Sequence, residues 1–178
     1  MLTIRLYTAT LQILFLILYL SIQNDAHAEV KQGNEKWVYH LNTSIPWRNY
    51  NNATFNEAVS HNKPLYVFVY SDECSWCRKF EVETLERPQI RKLIEKEFLP
   101  VAINQLQQPD LAKRLGIRLV PGNVLITPDG KRLLRFYGFL KVDALTNALQ
   151  NTLNKWRSGE ITDDEFADES TCCLIPDT

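Results

Sequence analysis

The sequence has no surplus of charge of either sign: 20 Lys and Arg stand against 21 Asp and Glu, a formal net charge of −1 over 178 residues. The cations are scattered rather than gathered on one stretch. The electrostatic footprint that draws DNA or RNA is therefore missing, and nucleic acid is excluded as a partner class. Histidine is scarce, with three in all, and His40 and His61 show no ligand spacing with the cysteines. A zinc site would thus lack two of its four ligands. Cysteine is scarce too, and the four fall in two couples, Cys74 with Cys77 and Cys172 with Cys173.

A long apolar run occurs at the N-terminus. Arg5 is the only charge before Leu11–Ile22, and Ala26-His27-Ala28 then places small residues at the two positions a signal peptidase reads. Residues 1–28 are expected to be a cleaved secretory signal. The competing reading is a retained membrane anchor, because the uncharged stretch from Leu6 to Asn24 is nearly long enough to span hydrocarbon. On either reading the remainder, from near Glu29, lies outside the cytoplasm, where thiols oxidise and a cysteine couple tends to close into a disulfide.

What is present suffices for one globular domain, since 45% of the residues are hydrophobic. Residues 29–52 read as an extended lead-in, with a short strand expected around Trp37–Leu41. Asn42-Thr43-Ser44 and Asn52-Ala53-Thr54 match the glycosylation acceptor pattern. The domain itself is expected over 53–157. From Thr54, "TFNEAVSHN" places Phe55, Ala58 and Val59 on one helical face. Leu65–Tyr70, "LYVFVY", is a continuous β-branched and aromatic run, as in a strand covered on both faces. A helix opens at the first cysteine couple, and after a bend a second helical piece covers Glu86–Phe98, with Pro88 in its first turn and Ile90, Leu93, Ile94 and Phe98 at helical spacing.

Leu99–Asn104 is the next strand, and Pro109–Ile117 a short helix with Pro at its start and Gly116 at its end. "NVLITPDGKRLLRFYG" predicts a hairpin around Pro128-Asp129-Gly130. Leu145, Ala148, Leu149, Thr152, Leu153 and Trp156 form the apolar stripe of a last helix. Residues 158–178 form an acidic tail that carries Cys172 and Cys173.

A strand that feeds a helix beginning at Cys74 has a chemical consequence. The N-terminus of a helix offers unpaired N–H groups and about half a positive charge, which stabilise a thiolate. Such a cysteine is both a nucleophile at neutral pH and a good leaving group. Cys77, almost one turn on, is close enough to displace whatever Cys74 captures. The pair remains open at this point to three readings: a redox centre, an inert brace, or half of a metal site.

The stretch from about Thr54 to Trp156 resembles the thioredoxin-like family. The resemblance is carried by "PLYVFVYSDE", by "CSWC" and above all by "GIRLVPGNVLITPDG" (Gly116–Gly130). Within the family, "KPLYVFVYSDECSWCRKFEVETLERPQI" is most similar to the C-terminal domain of the bacterial transmembrane thiol-disulfide interchange protein and related exported proteins. The resemblance implies an α/β fold with a central mixed sheet flanked by helices on both faces, and a protein-disulfide oxidoreductase of the periplasm that serves cell redox homeostasis. It implies Cys74 as the attacking cysteine, Cys77 as the resolving one, and Pro121 as a cis-proline whose preceding residue, Val120, pairs with the substrate's chain as a strand would. Gly138 falls where the family keeps a small residue. Trp76 is read either as a docking surface for substrate or as packing against the cis-proline loop. No cofactor is required beyond the cysteine pair. The expected partners are protein thiols or disulfides and, for a reductase, a membrane electron donor.

The sequence also departs from the family. Six residues before the first cysteine, thioredoxins usually bury an Asp that helps deprotonate the resolving thiol; here the residue is Phe68. That departure leans against a reductase, whereas the narrower family match leans toward one. The competing class is a binding or chaperone-like module in which the Cys74–Cys77 disulfide is structural.

Overall fold

The structure, a computed structural model, describes residues 43–161. The segment 1–28, the strand expected at Trp37–Leu41, Asn42 of the first acceptor triplet, the tail with Cys172 and Cys173, and the ends of the domain boundaries that fall there lie outside the described residues.

The elements run α1 (Asn52–His61), β1 (Leu65–Tyr70), α2 (Ser75–Phe80), a π-helical turn (Glu81–Leu85), α3 (Pro88–Glu97), β2 (Leu99–Asn104), α4 (Pro109–Arg114), β3 (Gly122–Ile126), β4 (Arg132–Tyr137) and α5 (Val142–Arg157). Each boundary has a local cause. Asn51 caps α1, its side-chain oxygen accepting the Thr54 N–H at 3.0 Å, an interaction worth about 1 kcal/mol in helices generally. Pro88 and Pro109 open α3 and α4 where a missing N–H costs nothing. Gly116, at φ +70°, turns the chain after α4, and a Cβ there would run into the Arg135 guanidinium.

The four strands form a mixed sheet in the order β2-β1-β3-β4. β1 is parallel to β2 and antiparallel to β3, so it is hydrogen-bonded on both sides. The lead-in adds one parallel bridge, Arg48 to Val101, on the far side of β2. Pleating sends alternate side chains of β1 to opposite faces. Leu65, Val67 and Val69 join Val101, Ile103, Val124 and Ile126 beneath Phe55 and Ala58 of α1 and Leu111 and Ala112 of α4. Tyr66, Phe68 and Tyr70 face the other way. Phe68 lies 5.9 Å from both the Trp47 and Phe80 rings, and Tyr66 lies 6.3 Å from Phe98. On that second face α5 packs against α3, the π turn and β4. The Arg157 guanidinium bonds the Glu97 carboxylate at 2.6 Å and holds that carboxyl below its usual range.

One helical face differs from expectation. Phe55 and Ala58 are buried, but Val59 is 62% exposed, because α1 is only partly covered and residue 59 falls just outside the covered stripe. The acceptor Asn52 opens α1, and the Thr54 hydroxyl of its triplet is buried, donating to the Asn49 carbonyl at 2.8 Å.

Candidate functional site

β1 ends at Tyr70, and four residues later Cys74 stands as the N-cap of α2. The intervening loop is fixed by its own polar groups. The Cys74 N–H donates to the Ser71 carbonyl at 3.0 Å, the Glu73 N–H to the Ser71 hydroxyl at 3.3 Å, and the buried Asn104 amide to the Asp72 carboxylate at 2.8 Å. Asn104 is the last residue of β2, and its Oδ1 also accepts the Leu106 N–H at 3.0 Å. A single amide thus joins the loop before the cysteines to the loop after β2.

Cys74 and Cys77 are joined in a disulfide. The two sulfurs are placed unequally: Cys77 is fully buried, while Cys74 is half-exposed. The Cys74 Sγ accepts the Cys77 N–H at 3.0 Å, so the sulfur occupies the capping position of the helix, where thiolate charge is favoured.

The peptide bond Val120–Pro121 is cis. Because Val69 pairs with Gly122, Pro121 stands at the end of the sheet where β1 runs into the cysteine loop. The Gly138 N–H, with φ +80°, donates to the Pro121 carbonyl at 2.8 Å. Pro121 is buried, Val120 half-buried and Leu119 68% exposed. The ends of β1, β3 and β4 therefore bring the residues proposed from the sequence to one edge.

Trp76 is 57% exposed, and its ring turns toward Phe139, at 6.4 Å between centroids. The Lys79 ammonium lies over both rings, 5.0 Å from Trp76 and 5.5 Å from Phe139, a cation–π arrangement. Phe139 in turn meets Phe80 edge-on at 6.1 Å. Trp76 is thus one edge of an aromatic surface topped by the Lys79 ammonium, two residues from the half-buried Cys74.

Phe68 is buried among aromatic rings, and no carboxylate acts from its position. A different carboxylate is brought inward. Glu81, four residues after Cys77, is 6% exposed and shares the buried face of the helical segment with Cys77, Phe80, Thr84 and Leu85. Burial, with Asp72 and Glu81 nearby, raises the Tyr70 hydroxyl well above its ordinary range. Sequence reasoning missed Glu81 and Phe139. Glu81 was legible as the residue one helical turn after Cys77; Phe139 had no signal beyond its place next to Gly138.

Among the described residues, no group of three or more His, Cys, Asp or Glu is placed to hold a metal ion, and no helix is long and apolar enough to cross a membrane.

Comparison with known proteins bears on the family and the fold. The chain is 25% identical over 159 residues to rat (Rattus norvegicus) spermatogenesis-associated protein 20, covering 80% of this chain and 20% of that protein. It is 28% identical over 85 residues to the thiol:disulfide interchange protein DsbD of Neisseria meningitidis, covering 46% of this chain and 14% of DsbD. The chain thus spans a fifth or less of the length of these relatives. Its fold matches the solution structure of a thioredoxin from Thermus thermophilus with a TM-score of 0.60 at 18% identity, over 71% of this chain and 98% of that one. The sequence profile of the thioredoxin-like domain matches residues 52–153, and the chain belongs to that family.

Proposed function

We propose that the protein is an exported thiol-disulfide oxidoreductase that exchanges disulfides with protein substrates, with the reductase direction slightly favoured. The observation that carries the proposal is the asymmetry of the pair: a half-exposed Cys74 capping α2 and a buried Cys77 bonded to it. Export rests on the N-terminal sequence, and the direction on the likeness to thiol:disulfide interchange proteins.

In the reductive direction the Cys74 thiolate attacks one sulfur of a substrate disulfide, and the other substrate sulfur leaves as a thiolate and takes up a proton. Cys77 then loses its proton and attacks the Cys74 Sγ, expelling the second substrate sulfur. Two electrons have passed to the substrate and the Cys74–Cys77 disulfide remains, to be reduced again by a membrane electron donor. Val120, ahead of Pro121, and the Trp76 surface hold the substrate's chain beside Cys74.

In this scheme Glu81 takes the part that Phe68 cannot. Its carboxylate, on the same buried face one turn from Cys77, receives the proton as Cys77 attacks. Glu81→Gln is expected to slow decay of the mixed disulfide by on the order of tenfold to a hundredfold at neutral pH, leaving capture by Cys74 unchanged, with Glu81→Asp restoring part of the rate. Quenched-flow measurement of that decay across pH checks this.

The reduction potential of the Cys74–Cys77 couple, measured against glutathione, tests the function as a whole. A value above about −300 mV is expected. A value far below it, with no mixed disulfide trapped on Cys77→Ser, would assign the chain instead to binding or chaperone-like modules with a structural disulfide.

A further inference from the structure

Asn104 is a polar residue in an apolar place. It ends β2 opposite Tyr70 and is 1% exposed, yet both atoms of its amide are used: Nδ2 donates to the Asp72 carboxylate at 2.8 Å, and Oδ1 accepts the Leu106 N–H at 3.0 Å. We infer that Asn104 is a positioning residue for the exchange reaction: by holding the Asp72 carboxylate at the end of β2, it leaves the Cys77 N–H to the Cys74 sulfur and so keeps Cys74 ionised at neutral pH. The inference rests on the redox reading of Cys74 and Cys77 given above.

The anchor is fixed on several sides. Asn104 is the last residue of β2 in register with β1, and the Gln105 N–H carries the pairing one step further, donating to the Tyr70 carbonyl at 2.7 Å. The Asn104 carbonyl accepts the N–H groups of Gln107 and Gln108 at 3.1 and 2.9 Å. A buried amide is costly unless its hydrogen bonds are made. Here one of those bonds goes to an exposed carboxylate two residues ahead of Cys74.

The restraint matters because of where Asp72 stands. Aspartate is among the side chains that most readily accept the N–H groups of a helix's first turn. Cys74 holds that place in the structure, its Sγ accepting the Cys77 N–H at 3.0 Å. A released Asp72 would compete for the same N–H and bring a second negative charge toward the sulfur. Both effects disfavour a thiolate. The charge of Asp72 is already felt at the end of β1, where burial first, then Asp72 and Glu81, raise the Tyr70 hydroxyl. A neutral amide holds the carboxylate without adding a charge of its own, which Lys or Arg in its place would do.

The test is a double-mutant cycle on the full-length chain carrying Cys77→Ser, so that the Cys74 peptide holds a single thiol. The reduced protein is alkylated with iodoacetamide across pH, and the Cys74 peptide is followed by mass spectrometry. Asn104→Ala is expected to raise the midpoint of alkylation by about one pH unit, and adding Asp72→Asn to bring it back. With Asn104 intact, Asp72→Asn is expected to move the midpoint far less. Around Cys74 the other charged groups are Glu73 in the same loop, Arg78 and Lys79 on α2, Glu81 in the π turn, Asp110 on α4 and Arg118 ahead of the cis-proline. They are the same in all four chains, so the cycle isolates the Asn104–Asp72 bond. If Asn104→Ala does not fold, Asn104→Asp replaces it, keeping the shape and the acceptor for the Leu106 N–H but not the amide donor. An unmoved midpoint, or an equal effect of Asp72→Asn in both backgrounds, overturns the role of Asn104. A shift that Asp72→Asn does not reverse overturns it too, since a merely structural loss gives that result. If the chain with Asn104 and Asp72 intact captures a reporter peptide disulfide while the cycle shows no coupling, only this inference falls. If its midpoint is that of a free cysteine, about 8.5, and it captures no reporter, the redox reading falls and this inference with it.

Discussion

Cys77→Ser is expected to turn the protein into a trap, accumulating disulfide-linked complexes on Cys74, whereas Cys74→Ser abolishes exchange altogether, with turnover falling about 10³-fold or more in both variants. The difference between them follows from burial. Cys74 is half-exposed and caps α2, so a substrate disulfide can approach it and its thiolate is stabilised by the Cys77 N–H. Cys77 is fully buried behind it and meets only the sulfur that Cys74 already holds. Each half of the reaction therefore belongs to one residue. Non-reducing electrophoresis with a peptide disulfide as substrate separates the two variants; equal trapping by both would contradict the assignment of roles.

Phe68→Ala is expected to lower the stability of the domain by about 3–5 kcal/mol, the usual cost of emptying a buried aromatic site. Phe68 is 1% exposed at the centre of β1, and its ring meets Trp47, Tyr70 and Phe80 at 5.8–5.9 Å. Those three rings come from the lead-in, the end of β1 and α2, so the cavity loosens the lead-in and the cysteine-bearing helix together. Denaturant unfolding, with the midpoint followed by tryptophan fluorescence, measures the loss. The pH dependence of mixed-disulfide decay in the folded variant is expected to match that of the parent, because position 68 contributes no titrating group to Cys77. A shift in that dependence would place the proton acceptor beside Phe68 rather than at Glu81.

The strands at Leu65–Tyr70 and Leu99–Asn104 were legible to the residue because strands covered on both faces are written as largely apolar runs. The turn at Pro128-Asp129-Gly130 was equally plain, with Gly130 at φ +84°. At the site, the "CSWC" and "LVPG" segments pointed to Cys74, Cys77 and Pro121 through the family resemblance, and the structure has a disulfide at the first and a cis peptide bond at the second. What was not legible depends on packing between distant segments. The Asn104–Asp72 bond joins residues 32 apart, and the Lys79–Phe139 contact depends on where the loop after β4 returns. The π turn at Glu81–Leu85 was read only as a bend, because a shift of hydrogen-bond partner leaves little mark on hydropathy. Val59 shows the converse limit: periodicity marks which residues share a stripe, but not how wide a stripe the neighbours cover.

Cys74 and Cys77 follow, after a short loop, a strand that has a ladder of backbone bonds along both of its sides. An attachment of that kind gives little under load, so in the proposed chemistry the adjustment of shape falls to the client. A disulfide locked inside a well-packed protein would have to work loose before it could be presented. The domain would then discriminate among clients by how easily they yield a stretch of chain, more than by the order of residues within it.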